Sequence, residues 1–228
     1  MERNFALEAL AHENLGNTVY GRIADALIKG RIEPDARLTI RDLATSLGTS
    51  VTPVRDAILR LIQDEALVQK SARDVRVPRL TVKRYKEIRQ IRLKLEGLAA
   101  RESALKASPR DIARLRDLIE RNEAAITRSD WLEALDLNQT FHFALAEIAD
   151  MLVLRGILYR LWLQMGPLIA ESYQAGGRAM IEHHYPVLEA IEKRDPDAAE
   201  RAIALDIGEA GKIILARMER RERKGTTE

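Results

Sequence analysis

The 228-residue sequence contains no cysteine, which excludes disulfide bonds, thiolate catalysis and cysteine-based zinc sites. Aromatic residues make up only 4% of the chain, whereas hydrophobic residues, mainly aliphatic, make up 46%. That composition is typical of a helix-rich globular protein. No apolar run approaches the length of a membrane span, and the first residues lack the apolar core of a signal peptide. We therefore expect a helical, cytoplasmic protein with no membrane partner.

An excess of positive charge is also missing. The formal net charge is +2, and residues 1–79 carry 12 basic and 11 acidic residues. A strongly basic surface is the usual electrostatic sign of a nucleic-acid-binding protein. Any interpretation as a DNA-binding protein must therefore depend on where individual arginines lie.

The stretch Leu43–Leu61 is typical of two short helices joined by a tight turn at Gly48. Glycine enters the left-handed backbone conformation at little steric cost, and many helices end at such a residue. Thr52 is predicted to cap the second helix, with Pro53 at the first helical position, where its missing N–H is not needed. Two helices, a turn containing glycine and Arg55 early in the second helix indicate a helix-turn-helix. An ordinary surface hairpin of two helices is the alternative.

The same stretch resembles the winged helix-turn-helix of the GntR family of bacterial transcription regulators. The shared residues are Leu43-Ala44, Leu47-Gly48, Ser50, Thr52-Pro53-Val54-Arg55, Asp56 in place of the usual Glu, and Ala57. The resemblance implies DNA contacts from four residues: Arg41, Ser50, Thr52 and Arg55. Phosphate contacts would fix the register, and an arginine that reaches a guanine edge would supply discrimination. The family usually has arginine at the position of Val51, so one common contact is missing.

A predicted β-hairpin follows the second helix. Its strands would cover Val68–Lys70 and Val75–Pro78, with a turn at Ser71–Asp74. By the resemblance this hairpin is the wing, and Arg73 near its tip is a further DNA contact. An acid replaces the family's usual glycine in the turn and should repel phosphate. We expect the DNA-binding domain to comprise residues 1–79.

The second domain, residues 80–228, is predicted to contain six helices from its apolar periodicity and its capping residues. Their predicted starts lie near Thr81, Pro109, Asp130, Met151, Met180 and Pro196. Three segments resemble the FCD domain of the FadR-like subgroup of GntR regulators: Arg92–Ala100, Asn138–Leu145 and His184–Asp206. The predicted fold class is mainly α, with an N-terminal winged helix-turn-helix followed by an antiparallel six-helix bundle.

A group of polar residues in this second domain is a candidate metal site. Asn138 and His142 lie four residues apart and therefore share one face of a helix. In the FCD domain these positions and those of His184 and Asp206 often hold Asp or Asn and three His residues that bind a divalent metal. The resemblance therefore implies a site of Asn138, His142, His184 and Asp206 for zinc, nickel or manganese. This chain departs twice, because an amide replaces the usual carboxylate and Asp206 replaces the third histidine. Without a metal, the histidines would be hydrogen-bonded core residues.

Arg92 is a candidate partner for an anionic effector, although it could instead pair with Glu96 one helical turn away. Together these features predict a ligand-responsive transcription regulator and repressor. It would bind an inverted-repeat operator in double-stranded DNA as a homodimer, with a small organic acid in the helical domain. Two alternatives stay open. One is a DNA-binding dimer whose helical domain is insensitive to ligand, and the other is a metal-dependent hydrolase, which no nucleophile motif supports.

Overall fold

The computed structural model describes residues 15–71 and 74–225. Within these residues the chain forms nine α-helices, one short 3-10 helix and three strands. The helices are α1 (Leu15–Ile28), α2 (Ile40–Leu47), α3 (Val51–Gln63), α4 (Val82–Lys106), α5 (Pro109–Thr127), α6 (Trp131–Ile148), α7 (Leu152–Gly176), α8 (His184–Glu192) and α9 (Pro196–Gly225). The strands are β1 (Arg37–Leu38), β2 (Val68–Ser71) and β3 (Asp74–Arg76). None of the helices described here combines the length and the apolar content that crossing a membrane requires.

Helices α2 and α3 form the predicted helix-turn-helix, and α1 packs against α3. The side chain of Thr39 caps α2 by accepting a hydrogen bond from the backbone N–H of Asp42 at 3.1 Å. Gly48 ends α2 with φ 62°, in the left-handed conformation expected from the sequence. One apolar stripe of α3 is buried and faces the core that α1 and α3 share, and it consists of Val54, Ala57, Ile58 and Leu61.

The predicted start of α3 was wrong by two residues. The helix begins at Val51, with Ser50 rather than Thr52 at the N-cap position, and the Ser50 side chain makes no capping hydrogen bond. Pro53 is therefore the third helical residue. A proline fits there because the first backbone N–H groups of a helix have no intrahelical acceptor. The proline thus marks the first turn of a helix but not its first residue.

The predicted wing is present as a β-hairpin with an additional strand. Strands β2 and β3 pair antiparallel, and β1 pairs with the other edge of β3, which places β3 in the centre. The sequence did not predict β1. A two-residue strand has no periodicity and forms only because the returning strand of the hairpin supplies its hydrogen-bond partners.

The six bundle helices agree with the prediction, apart from one boundary. Helix α8 begins at His184 and not near Met180, because residues 177–180 form the short 3-10 helix. Helix α7 continues through Pro167 without interruption. Helix α5 begins with the capping box that Ser108 and Asp111 form.

Helix α7 packs closely against the helix-turn-helix. A Cβ added at Gly166 would lie 2.5 Å from the Cα of Ile28 and 2.6 Å from the carbonyl oxygen of Leu27. Gly30 follows α1 with φ 62°, and a Cβ added there would lie 2.0 Å from the Cβ of Ala170. The end of α1 and the middle of α7 are therefore in backbone contact, which only glycine at these positions permits.

We expect Gly166→Ala to lower the free energy of unfolding by about 1–3 kcal/mol, because the new methyl group meets backbone atoms that cannot rotate away. Gly156→Ala is the matched control on the same helix. Its new methyl group would meet no atom within 4 Å. This control should raise stability by about 0.5–1 kcal/mol through helix propensity. Thermal unfolding of both variants checks the prediction, and equal shifts would contradict the close contact.

Candidate functional site

The start of α3 presents an exposed polar surface. Ser50, Thr52 and Arg55 are exposed, and Val51 beside them is 42% exposed. Arg41 on α2 is exposed as well. Neither Arg41 nor Arg55 forms an ion pair with another residue in the described part of the chain. Both guanidinium groups are therefore free to bind a phosphate or the edge of a base.

Arg60, later on α3, is engaged in the fold instead. Its guanidinium donates a hydrogen bond to the side chain of Asn17 and lies 4.3 Å from the centroid of the Tyr20 ring. The hydroxyl of Tyr20 donates to Asp64 at 2.7 Å, and burial together with this bond raises the pKa of Tyr20. These contacts hold α1 against the C-terminal end of α3.

The wing is less available to an anion than α3. Asp74 lies in β3, where its carboxylate is 2.9 Å from Nε of Arg76 and 3.7 Å from Nε of Arg37. The acid therefore neutralises two neighbouring arginines. Arg73, the DNA contact predicted at the tip, lies outside the described residues.

In the bundle, four polar side chains from three helices meet. Asn138 and His142 come from α6, His184 is the first residue of α8, and Asp206 comes from α9; all four are buried. Nε2 of His142 lies 3.5 Å from Oδ2 of Asp206, and Nε2 of His184 lies 3.6 Å from Oδ1. One ligand atom from each of these three residues lies within 4.8 Å of the others. The structure therefore brings three of the four predicted residues together, and Asn138 lines the adjacent cavity with His142 and Asp206.

Glu96 on α4 orients His142, a role that the sequence analysis missed. Its Oε2 lies 2.5 Å from Nδ1 of His142, and its Oε1 accepts a hydrogen bond from Nε of Arg92. Burial would raise the pKa of Glu96, but the charge of Arg92 and the hydrogen bonds from Arg92 and His142 hold it at about 2. An ionised carboxylate only accepts hydrogen bonds, so Nδ1 of His142 is the donor. In the neutral ring, Nε2 then carries the lone pair on the side of Asp206, which is the arrangement of a metal-binding histidine.

Several polar atoms of this site have no hydrogen-bond partner within the described residues. They are Oδ1 of Asn138 and both ring nitrogens of His184. Burial lowers the pKa of His184 well below its ordinary value and raises the pKa of Asp206 to about 6. A divalent cation would use the free lone pairs and would favour the charged form of Asp206. The donor set therefore fits a metal ion.

A cavity of about 20 Å³ lies beside this cluster, with Asn138, His142, Asp206, Arg92 and Trp162 in its wall. The guanidinium carbon of Arg92 lies 4.6 Å from the centroid of the Trp162 ring. Arg92 thus pairs with Glu96 and also faces the cavity, so its two predicted roles are compatible. The cavity has room for a water-sized molecule, and an organic acid requires it to widen.

Comparisons with known proteins agree with these features. The family model of bacterial regulatory proteins, gntR family, matches residues 15–77, and that of the FCD domain matches residues 87–208. The HTH-type transcriptional regulator McbR of Escherichia coli (strain K12) is 31% identical over 199 residues, which cover 86% of this chain and 90% of that protein. The HTH-type transcriptional repressor RspR of the same strain is 21% identical, over 86% of this chain and 87% of its own length.

A solved structure, E. coli McbR/YncC, is similar over the same range. It aligns with a TM-score of 0.84 at 29% identity and covers 90% of this chain and 99% of that one. The exposed start of α3 lies in the first family match, and the buried polar cluster lies in the second. The matches confirm the resemblance inferred from the sequence and the predicted fold class.

We expect Asp206→Asn to stabilise the metal-free protein above pH 6. The folded-state pKa of Asp206 is about 6, above the unfolded value of about 3.9. Stability is therefore lost as the pH rises through this interval, because the folded state must then hold a buried charge. The asparagine removes that charge and should raise the free energy of unfolding by on the order of 1–3 kcal/mol at pH 8.

The same substitution should give no such gain at pH 4, where the carboxyl group is protonated in the folded state. Thermal unfolding at both pH values with a chelator present measures the difference. Asp117→Asn, at an exposed position of α5, is the control and should change stability by less than about 0.5 kcal/mol. A loss of stability at pH 8 in the Asp206 variant would contradict the prediction.

Proposed function

Because the chain belongs to the GntR family of bacterial regulatory proteins and carries an FCD domain, we propose that it is a ligand-responsive repressor of transcription. It binds an inverted-repeat operator as a homodimer, and a small organic acid in the helical domain changes its affinity for that operator. The name of the relative RspR, a transcriptional repressor, supports the direction of regulation. Membership of a family of regulators argues against the hydrolase hypothesis.

We assign residues 1–79 to DNA binding and residues 80–228 to ligand binding and dimerisation. The two family matches end at residue 77 and begin at residue 87, and α4 begins between them at Val82. Residues 77–81 connect the central strand of the wing to the first bundle helix.

The exposed start of α3 is the observation that carries the proposal. Thr52 and Arg55 project from a helix whose opposite face is buried against α1. The second helix of a helix-turn-helix lies in the major groove with its N-terminal residues at the base edges. A single such helix reads a half-site, and two copies related by a two-fold axis read an inverted repeat.

Asn138, His142, His184 and Asp206 are the proposed ligands of a divalent metal. A bound cation supplies a Lewis-acidic position for the carboxylate of a small organic acid. Glu96 holds His142 in the tautomer that ligation needs, and Arg92 adds a positive charge at the cavity wall. The unpartnered oxygen of Asn138 and ring nitrogens of His184 support this assignment.

Helix α7 is the proposed connection between this site and the DNA-binding domain. Trp162 and Ile169 contribute to the cavity wall. Gly166 and Ala170, on the same two turns, lie against the end of α1 and Gly30. A ligand that widens the cavity by displacing α7 would transmit that displacement to the helix-turn-helix through the close contact.

The small cavity favours one alternative, in which the helical domain only dimerises and responds to no ligand. A regulator of that kind would keep the same operator affinity and thermal stability in the presence of metals and of organic acids. Titration with zinc, nickel and manganese, each with and without citrate as a probe, distinguishes the two.

Arg55→Ala should weaken binding to the operator by about 1–3 kcal/mol, because the arginine is free to reach a base edge or phosphate. Arg60→Ala is the control on the same helix, and it should affect stability more than DNA affinity because Arg60 contacts Tyr20 and Asn17. A gel-shift assay with a duplex selected from a random-sequence pool measures both. Equal, small losses of affinity would show that the α3 surface is wrongly assigned.

For the metal site, we expect His142→Ala and His184→Ala to abolish most metal binding, since each removes an imidazole ligand. Asp206→Asn should do the same, because it removes the only anion of the set. Asn138→Ala should be mildest, since an amide oxygen is the weakest of the four ligands. Glu96→Gln should weaken binding by about 10–100-fold through the orientation of His142.

The measurement is metal content together with the thermal shift on adding zinc, nickel or manganese. His183→Ala, at the half-buried neighbour of His184, is the control and should bind as the parent does. A parent protein that carries no metal and shows no shift with any of the three would remove the metal from the proposal.

A further inference from the structure

A cleft lies between the DNA-binding domain and helices α7 and α9, apart from the polar cluster of the bundle. Its volume is about 550 Å³, within the range of about 300–1,000 Å³ that small-molecule sites occupy. Pro34 and the connection from Pro78 to Thr81 contribute to its wall, together with four residues of α7 and three of α9. We name it the interdomain cleft. Ligand sites occur preferentially at domain interfaces of this kind.

Half of the residues in the wall of the interdomain cleft are apolar, and several of them are rigid. The six are Pro34, Pro78, Leu80, Pro167, Leu168 and Met218. Three of them are prolines, whose ring fixes the backbone φ angle. Leu168 and Met218 are buried in the core. The cleft is therefore preformed, whereas the cavity of about 20 Å³ beside the polar cluster must widen to take an organic molecule.

The charged residues of the wall balance, and both arginines among them are paired. They are two arginines, Arg79 and Arg221, and two glutamates, Glu171 and Glu222. Nη1 of Arg221 donates to Oε2 of Glu171 at 2.9 Å, and Nε of Arg79 lies 3.5 Å from Oδ2 of Asp35. An ionic ligand would have to compete with these pairs, whereas an uncharged ligand leaves them intact.

We propose that the interdomain cleft is a second effector site, for an uncharged and mainly apolar organic molecule with one hydrogen-bonding group. The body of this molecule would pack against the six apolar residues. Gln164 and Thr81 are the uncharged polar residues of the wall, and either can meet the polar group. The effector role rests on the proposed function, because it requires a regulator that binds an operator.

Gln164 connects the interdomain cleft to the end of α3. Its side-chain amide donates to the backbone carbonyl of Asp64 at 3.4 Å, and its amide oxygen accepts a hydrogen bond from Arg84 at 3.3 Å. Asp64 is the residue at which α3 ends, and its carboxylate accepts from Tyr20 of α1. A ligand that binds Gln164 therefore competes for a contact between the two domains. Such a ligand favours one arrangement of the domains over others, which changes operator affinity.

The interdomain cleft and the cavity beside the polar cluster lie on opposite faces of α7. Trp162 and Ile169, seven residues apart, contribute to the cavity. Gln164 and Leu168 contribute to the cleft, and at about 100° per residue they point roughly the other way. The two sites can therefore be filled independently, and zinc with citrate should not displace a ligand from the cleft.

Two dyes that differ in one group test the site and its chemistry. N-phenyl-1-naphthylamine is uncharged, 1-anilinonaphthalene-8-sulfonate adds a sulfonate to the same rings, and both fluoresce more strongly in apolar surroundings. The uncharged dye should bind the full chain saturably. Leu80→Gln and Pro34→Gln each place an amide in the apolar wall, and each should raise its dissociation constant about tenfold. Leu132→Gln, at a position of α6 that is 56% exposed, is the control and should bind as the parent does.

Glu171→Gln tests the charge argument, because it removes the partner of Arg221. It should tighten binding of the sulfonate dye about threefold and leave that of the uncharged dye unchanged. Circular dichroism checks that each variant is folded, and the variants of Leu80 and Pro34 test the two sides of the cleft separately. Uncharged-dye binding that neither of them weakens would overturn the site. Tighter binding of the sulfonate dye than of the uncharged dye to the parent, weakened by the same two variants, would overturn the proposed ligand class.

The effect on the operator separates this inference from the proposed function. Saturating uncharged dye should change the operator dissociation constant of the parent by at least about fivefold, and it should do so less in Leu80→Gln. Bound dye with unchanged operator affinity would overturn the effector role, and displacement of the dye by zinc with citrate would overturn the independence of the two sites. A parent that binds no operator would contradict the proposed function, while the dye titration, which needs no DNA, still decides the cleft.

Discussion

Burial of ionisable side chains is the constraint on which the bundle depends. An ionised carboxylate inside a protein costs several kcal/mol unless other groups compensate for the lost water. Glu96 has two such groups, Arg92 and His142, and its pKa is held at about 2. Among the described residues, the ionic contacts of Asp206 are two histidine nitrogens at 3.5 and 3.6 Å, and burial raises its pKa to about 6. A cation bound beside Asp206 would compensate for the water that its carboxylate has lost. Acidic residues with shifted pKa values of this kind cluster at functional sites.

The same bundle connects its interior to the surface proposed to bind DNA. Helix α7 contributes Trp162 to the cavity wall and Gly166 to the contact with α1. Packed helices do not deform continuously, because every displaced side chain must find a new place among its neighbours. A change at the cavity and a change at the helix-turn-helix therefore involve one element, which is the physical basis for the proposed ligand response.

The N-terminal part has a small net charge, and its arginines differ in whether they pair with other residues of the fold. Arg60 and Arg76 are engaged within the fold, by Tyr20 and by Asp74 respectively. Arg41 and Arg55 remain free of ion pairs in the described part of the chain. The position of a few arginines, rather than their number, makes this surface suitable for DNA, and the proposed dimer would present it twice.

Local sequence by itself determined the helices, most of their ends and the family, because propensity, capping and glycine conformation act within a few residues. Gly48 and Ser108 therefore mark helix ends as predicted, and the motifs identified the candidate metal ligands. Only the tertiary structure decided the role of Glu96, whose partner His142 lies 46 residues away, the strand β1, and the interdomain cleft. Each of these depends on which faces of distant segments meet, and that is settled by packing across the whole chain rather than by the order of neighbouring residues.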